Sequence, residues 1–303
     1  MGNNKFTVLS LSQVYGEGRL DVFNKYGSEA EVTDFAISRG TDYYPLKGKY
    51  FAESGLPIES PLLDEKVCDY WTSTKVEGSV AKCYSYGRMG INREVAWSDN
   101  NGIRVVVPFE EIKDDITSTT TKDFGKGKVT IVTCGEYPQR VLGYREQEAI
   151  EELYENGELK PTGKHYSIWG YKNELFYDGT DRKFERDEYP EYEYNGMKFV
   201  KAKKAVFENG ASRDIWAVVE PIEWLIDDKT RLAVTKKCVT GGVPISRKGI
   251  YLGNFENTMV QSFLTDEFAY DIFNKKNNLK NMLDETELLD TTSFTFDSKK
   301  KSL

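Results

Sequence analysis

The sequence predicts an α+β fold in which most strands run antiparallel and only a few helices are present. The aromatic share is 13%, with 19 Tyr and 16 Phe, and this composition favours strands over a helical bundle. Short runs of β-branched and aromatic residues are separated by Gly and Asn turn signals, which is typical of hairpins. Helical spacing is confined to a few segments that do not alternate with strands, so the sequence does not predict βαβ units.

The length and charge of the chain bound its class. With 303 residues, of which 39% are hydrophobic and 30% charged, it can bury a sizeable core as one elaborated domain or two modest ones. The 49 acidic residues outnumber the 41 basic residues and give a net charge of −8. This excess argues against duplex nucleic acid or an anionic membrane as the main partner.

The N-terminal residues, MGNNKFTVLSLSQVYGEG, lack the basic stretch and the following apolar run of a secretory signal. No apolar run approaches the roughly 20 residues that a membrane-spanning helix needs. We therefore expect a cytoplasmic protein of a bacterium or of a phage-infected cell, with no membrane partner.

Elements of the first part of the chain follow from periodicity. FTVLSLSQVY (6–15) predicts a buried strand that leads into a helix. SEAEVTDFAISRG (28–40) has the spacing of a short amphipathic helix that ends at Gly40. Turn signals then separate predicted strands at about 70–74, 80–86, 93–97 and 102–108.

A polar stretch rich in Thr and Lys, KDDITSTTTKDFGKG (113–127), predicts a linker or long loop. It divides the chain into a first block (1–112) and a second block (128–284), and a frayed polar tail (285–303) follows. The predicted elements of the second block are a strand at 128–137, helices at 145–159 and 258–276, hairpins over 165–205, and a central antiparallel pair at 215–227 and 231–239.

Two groups of motifs resemble one family. FTVLSLSQV, YWTST, VAKCYSYG and GIRVVVPF in the first block resemble the C-terminal half of the bacterial family known as domain of unknown function 6273. CGEYPQRV, YEYNGMKFVK, WAVVEPIEWLI, LAVTKKCVTGGVPI and GNFENTMVQSFLTDEF in the second block resemble its N-terminal half. That family is distantly similar to the formylglycine-generating sulfatase-modifying enzymes and to C-type-lectin-like folds.

The resemblance implies a C-type-lectin-like or sulfatase-modifying-factor-like fold whose halves stand in reversed order. A circular permutation of one domain and two truncated copies both explain that order. The two explanations differ in how the 102–108 strand relates to the 215–226 strand. Pairing in one sheet favours the permutation, and separate cores favour two domains. The resemblance implies no activity, because the family has none assigned and a fold does not fix a function.

The sequence gives little support for nucleophilic catalysis or for a metal site. Formylglycine-generating enzymes hold copper through closely spaced cysteines, which this chain lacks, so we predict neither a metal nor another cofactor. The single histidine, His165, is expected to be structural because no nucleophile is marked for it. The four cysteines show no CxxC spacing and are expected to be buried free thiols: Cys68, Cys83, Cys134 and Cys238. The alternative is a disulfide between Cys68 and Cys83.

Carboxylates are the other candidates for chemistry. Adjacent acids such as Glu110 and Glu111 are expected to solvate the surface or occupy turns. Glu220 and Glu223 differ because they lie in the otherwise apolar strand VEPIEW. Residues three apart on a strand point to opposite faces, so these two are not expected to form an acid/base pair. Burial of one of them with a raised pKa, or pairing with an arginine, stays open. In WSDNNG (97–102) we expect a tight turn rather than a calcium site.

The middle of the first block carries the strongest binding signal. Arg beside aromatic residues is typical of binding hot spots, and Arg suits planar carboxylate, phosphate or base groups. The alternative is an exposed hairpin with surface salt bridges. Trp71 and Arg104 are instead expected to hold the fold, Arg104 by binding a carboxylate. The predicted ligand- or partner-binding residues are Tyr84, Tyr86, Arg88, Asn92, Arg93 and Trp97.

The sequence therefore predicts a non-enzymatic binding protein that contacts a protein or a small polar ligand, with no catalytic residue assigned and the oligomeric state open. The alternative is a carboxylate-dependent enzyme acting on a small polar or sugar-like substrate. A concave pocket with convergent carboxylates, Glu220 or Glu223 among them, would favour the enzyme. A flat, exposed aromatic surface would favour binding.

Overall fold

Two long strands form the centre of the fold. The computed structural model describes residues 5–45, 66–79, 82–87, 90–98, 100–171, 184–203, 214–246 and 253–273. The strands are β1 (Thr7–Val8), β2 (Ala30–Val32), β3 (Tyr43–Pro45), β4 (Lys66–Cys68), β5 (Tyr70–Lys75), β6 (Lys82–Gly87), β7 (Gly90–Val95), β8 (Val105–Pro108), β9 (Ile116–Asp123), β10 (Lys128–Val141), β11 (Lys160–Tyr171), β12 (Phe184–Tyr194), β13 (Met197–Lys203), β14 (Asp214–Asp227), β15 (Leu232–Thr235) and β16 (Lys237–Cys238).

Helices are short and lie between and around the strands. Capping explains where several begin: the Ser10 side chain accepts from the Gln13 N–H, and Thr33 accepts from the Ala36 N–H. The helices are α1 (Leu11–Tyr15), α2 (Asp21–Lys25), α3 (Asp34–Ser38), α4 (Tyr144–Glu155), α5 (Met259–Ser262) and α6 (Ala269–Phe273), and a π-helical segment (Phe263–Phe268) joins the last two. Three 3₁₀ turns lie at Phe109–Glu111, Lys113–Asp115 and Phe255–Asn257.

The nine-stranded sheet branches at β14. On one side β14 pairs with β10, and β10 pairs in turn with β9. On the other side its first half pairs with β13 and its last residues pair with β15. From β13 the sheet continues through β12 to β11, and from β15 it continues through β8 to β1. All of these pairs are antiparallel, so the predicted α+β class with mostly antiparallel strands is confirmed.

Two smaller sheets pack beside the large one. One has the order β16-β2-β4-β3, and the other is the meander β5-β6-β7. Among the strands that the structure describes, β16 and β2 form the parallel ladder. The meander belongs to the first block and carries the predicted binding residues, whereas β16 brings a piece of the second block against the first.

Both blocks contribute to the same sheet and core. Strands β8 and β14 lie in one sheet with β15 between them. The largest apolar cluster joins Trp71 and Phe6 of the first block to Trp169, Trp224 and Phe263 of the second. These two strands therefore do not lie in separate cores, which is the arrangement that two truncated domains would favour. The circular permutation and the C-type-lectin-like identity stay predictions.

Two segments differ from the sequence-based expectation. The polar stretch 113–127 contains strand β9, because its β-branched Thr residues suit an exposed strand as well as a loop. The predicted helix at 28–40 is only α3, since Ala30–Val32 pair with β4 and β16 before Thr33 caps the helix. The predicted pair of strands at 215–227 and 231–239, in contrast, is confirmed as β14 and β15. The tail 285–303 lies outside the described residues.

The helices are short relative to the thickness of a bilayer. Within the described ranges, none is long and apolar enough to cross a membrane.

Candidate functional site

The meander β5-β6-β7 brings two of the predicted binding residues directly together. Tyr84 on β6 and Arg93 on β7 are opposite each other in the antiparallel ladder. Directly opposed residues lie on the same face of a sheet, with Cβ atoms about 5 Å apart. The Arg93 side chain is exposed and Tyr84 is half-buried, so both are accessible from solvent. This cross-strand pair is the part of the predicted site that the ladder assembles.

Other predicted residues have structural contacts. Tyr86 is only 8% exposed, and its hydroxyl lies 2.9 Å from the Ser28 hydroxyl. The Asn92 side-chain amide donates to Asp69 at 2.9 Å, and alternation places it on the opposite face from Arg93. Trp97 is half-buried in the turn after β7. Arg88 lies outside the described residues. The six residues therefore do not form one exposed group.

Sequence reasoning missed a residue that extends this surface. Tyr15, at the end of α1, is 61% exposed, and its ring centroid lies 6.5 Å from that of Tyr86. Ile91 is opposite Tyr86 in the ladder and is 39% exposed. The sequence contains a signal for the exposure of Tyr15. Val14 is the buried residue of α1, and consecutive residues of a helix lie on different sides of it. We call the surface formed by Tyr15, Tyr84, Ile91 and Arg93 the aromatic face.

A second feature lies where the large sheet branches. Strand β13 pairs with β14 as far as Val219, and β15 pairs with it from Trp224 onward. Between them lies a recess of about 150 Å³, which we call the fork cleft. Proline lacks the donor of a ladder hydrogen bond, so Pro221 is accommodated in this irregular stretch. The fork cleft is lined by Gln139, Glu220, Pro221, Ile222, Glu223, Lys237 and Val239.

The prediction that Glu220 and Glu223 point to opposite faces is wrong. Val219 and Ile222 both belong to the main core, so the alternation of β14 shifts between them. The shift lies opposite an irregularity in β10, where the register skips between Thr133 and Glu136. As a result both glutamates line the fork cleft.

Basic residues pair with both glutamates of the fork cleft. Glu220 lies 3.4 Å from the Arg140 guanidinium, which is the arginine pairing left open by the sequence. Glu223 lies 2.9 Å from the Lys236 ammonium, which also approaches the buried Glu31 at 3.6 Å. Burial opposes the charge of Lys236, but the hydrogen bond to Glu223 and the nearness of Glu31 raise its pKa. The cleft thus holds charges of both signs.

The Gln139 side chain stabilises the irregular part of β14. Its amide nitrogen donates to the carbonyl oxygen of Glu220 at 2.8 Å and to that of Pro221 at 2.7 Å. Gln139 belongs to the YPQ motif and Pro221 to the VEPIEW motif. Two motifs that lie far apart in the sequence therefore meet at the fork cleft.

A buried carboxyl group on α6 escaped the sequence reasoning. Asp271 is 3% exposed and accepts a 2.6 Å hydrogen bond from the Ser167 main-chain N–H. Glu267, on the π-helical segment, accepts from the Ser167 hydroxyl at 2.6 Å. Burial raises the pKa of Asp271 to about 8 against the effect of the Ser167 hydrogen bond, and Glu267 adds to the rise. The available signal was an acid within the apolar stripe between Phe268 and Ile272.

The remaining candidates have structural settings. His165 is exposed on β11, opposite Pro190. All four cysteines are free and buried, as predicted. Burial raises the pKa of the Cys83 thiol to about 12 and that of Cys68 well above its usual range, which opposes thiolate chemistry.

Arg104 has different partners from the predicted carboxylate. It is fully buried and donates to the carbonyl oxygens of Thr235 at 3.0 Å and Ser28 at 2.8 Å. Its guanidinium carbon lies 4.8 Å from the Phe23 ring centroid and 5.4 Å from that of Tyr70. Main-chain carbonyl oxygens and the faces of aromatic rings surround the guanidinium, and they stabilise its positive charge in place of a carboxylate.

Within the described part of the chain, no group of three or more His, Cys, Asp or Glu side chains is arranged to hold a metal ion. No protein-family model, no curated protein and no solved structure matches the chain.

Proposed function

We propose that the protein is a non-enzymatic binding protein and that the aromatic face contacts its partner. The observation that carries the proposal is the cross-strand pair of Tyr84 and Arg93, flanked by the exposed Tyr15 and Ile91. Tyr and Arg are the residues that most often dominate binding energy at protein interfaces. An open face of this kind suits a protein partner better than a small polar ligand, because small ligands usually bind in concave sites.

The wider setting is part of the same proposal. We also propose that the protein acts in the cytoplasm of a bacterium or of a phage-infected cell, and its net charge of −8 disfavours duplex nucleic acid or an anionic membrane as its partner there. We also retain the resemblance to the family known as domain of unknown function 6273, with its halves circularly permuted. The presence of β8 from the first block and β14 from the second block in one sheet supports this relation.

The test compares partner capture by matched variants. Purified wild-type protein and a Tyr84→Ser/Arg93→Ser variant are immobilised and exposed to host-cell extract. Tyr144→Ser serves as the control, since Tyr144 is 73% exposed but lies on α4. Loss of a hot-spot pair costs about 2 kcal/mol or more, so a specific partner should be retained roughly 30-fold less by the double variant. Equal retention by all three proteins would overturn the proposal.

The fork cleft supports an alternative function. Because Glu220 and Glu223 line one recess, an enzyme acting on a small polar or sugar-like substrate through these carboxylates is the second proposal. The ion pairs with Arg140 and Lys236 weigh against it, since both glutamates already have partners. Hydrolysis of a panel of nitrophenyl glycosides tests the alternative directly. Turnover that Glu223→Gln and Glu220→Gln each abolish would favour the enzyme, and its absence across the panel would favour the binding protein.

A further inference from the structure

Strand β9 offers an open edge of the large sheet. It pairs with β10 on one side, and within the described residues its other side has no strand partner. Residues 117–123 are all exposed. An unpaired edge presents a row of N–H and C=O groups that can pair with another chain.

The usual protections of an edge strand are missing over most of β9. The strand has eight residues, ITSTTTKD, with no proline and with its charged side chains, Lys122 and Asp123, at one end. Its register with β10 is regular from Asp123 to Ser118 and shifts only near Ile116. Natural edge strands are commonly shortened, bulged, or interrupted by lysine or proline. The centre of β9 is neutral and rich in Thr, which suits strand pairing.

The hairpin between β9 and β10 fixes which groups face outward. The Phe124 N–H donates to the Gly127 carbonyl oxygen at 3.3 Å and closes the turn. Because hydrogen-bonded and non-hydrogen-bonded pairs alternate along an antiparallel ladder, Ser118, Thr120 and Lys122 bond inward to β10. The main-chain groups of Thr119 and Thr121 therefore point to the open edge, whereas Thr117 lies at the register shift between Ser118 and Ile116.

We propose that two copies of the chain associate through antiparallel pairing of their β9 strands, centred on Ser118. This register places the outward-facing main-chain groups of Thr119 in one copy opposite Thr117, the residue at the register shift, in the other. It also brings the end of β9 that carries Lys122 and Asp123 towards the 3₁₀ turn of the other copy, which carries Lys113 and Asp114, and the two-fold axis repeats this contact.

Charge complementarity is the reason for choosing a second copy as the occupant. The open edge carries Lys and Asp at both of its ends, so antiparallel pairing of two copies brings side chains of opposite charge near each other at each end. Lys113 is exposed and pairs with Glu110 within the chain at 2.7 Å, so at the rim it exchanges one surface contact for another. A partner of a different kind would have to supply this charge pattern by coincidence.

Sedimentation equilibrium of the full chain tests the proposal. We expect wild-type protein to sediment as a dimer at about 100 µM, where an affinity in the micromolar range gives mostly dimer. Thr119→Pro removes an outward N–H without breaking the ladder to β10, so it should give a monomer with an unchanged circular dichroism spectrum. Thr119→Val, which keeps the N–H and the β-branched shape, should stay dimeric.

A charge swap keeps the test valid if Thr119→Pro does not fold. Lys122→Glu should raise the dimer dissociation constant about tenfold, because two ion pairs become two repulsive pairs. Adding Asp114→Lys should restore the wild-type value. A wild-type monomer at this concentration, or a dimer that none of these changes weakens, would overturn the proposal.

Discussion

The side-chain amide of Gln139 lies 2.7 Å from the carbonyl oxygen of Pro221 and donates a hydrogen bond to it, while a second bond reaches the Glu220 carbonyl at 2.8 Å. The contact joins β10 to β14 at the stretch where neither β13 nor β15 is paired with β14. One side chain therefore satisfies two acceptors that the sheet leaves irregular, and the shape of the fork cleft depends on it.

Replacing Gln139 by Leu should lower the free energy of unfolding by about 1–3 kcal/mol, because two carbonyl groups lose their donor. Gln139→Glu should be worse at pH 7, since an ionised carboxylate cannot donate and would face carbonyl oxygens. Urea denaturation measures both changes. At about pH 4, where a Glu is largely protonated, the Glu variant should recover part of the loss relative to Leu. A Leu variant as stable as wild type would show that the contact is dispensable.

Arg104 should tolerate Met better than Lys. Lys keeps the buried charge but cannot reach both the Ser28 and Thr235 carbonyls with a planar group, whereas Met removes the charge and fills the space. We expect Arg104→Lys to lose at least about 2 kcal/mol of the free energy of unfolding, and Arg104→Met to lose less. Thermal and urea denaturation of the two variants decide the order. The reverse order would contradict the role assigned to the surrounding carbonyls and rings.

Asp271 should make stability fall as pH rises. Its pKa is raised from 3.8 to about 8, so between these values the folded protein retains a proton that the unfolded chain releases. The free energy of unfolding therefore decreases as pH rises from about 3.8 to about 8. The stabilising contribution of the retained proton is fully present only below about pH 3.8. Lys164 and Glu267 lie near the group and modify this effect with opposite signs.

Asp271→Asn keeps an acceptor for the Ser167 N–H and carries no charge, so it should escape the penalty. The difference in Tm between variant and wild type should increase by at least about 2 °C from pH 5 to pH 8.5, the shift that roughly 1 kcal/mol produces in a chain of this size. Differential scanning calorimetry measures it. Asp228→Asn is the control, since Asp228 is exposed and should show no such trend. A flat difference across this range would contradict the raised pKa.

Gly102 should not accept a side chain. An added Cβ would lie 2.9 Å from the Sγ atoms of both Cys68 and Cys238. Because the cysteines are buried and cannot move outward, Gly102→Ala should cost about 1–3 kcal/mol of unfolding free energy. Gly253→Ala, where a Cβ meets nothing within 4 Å, is the matched control and should be near neutral. Equal denaturation midpoints for the two variants would show that the cysteines can make room.

Local patterns were sufficient for several elements. The apolar run of β14 and the neighbouring β15 predicted a central antiparallel pair, and Glu-rich turns ending near Gly157 predicted α4. These elements owe their structure to features within one segment, namely periodicity, capping and turn residues. The burial of the cysteines followed in the same way from their residue type.

Features that depend on a distant partner were missed. The common face of Glu220 and Glu223 results from a register shift opposite β10, which alternation within β14 alone cannot reveal. Ala30–Val32 have helical spacing but pair with β4 and β16, and this tertiary pairing overrides the local pattern. Tyr15 joins the aromatic face only because α1 lies against β6. In each case the deciding contact comes from residues far away in the chain.

The position of β8 has a consequence for biosynthesis. Val106 pairs with Thr7 on one side and with Val234 on the other, so β8 needs a neighbour encoded more than a hundred residues later. A ribosome that has just translated the first block therefore releases an apolar strand, VVVP, whose second edge stays unsatisfied until β15 emerges from the exit tunnel. Nascent chains truncated before residue 232 are expected to recruit chaperones or aggregate through this edge, and completion of translation ends that exposure.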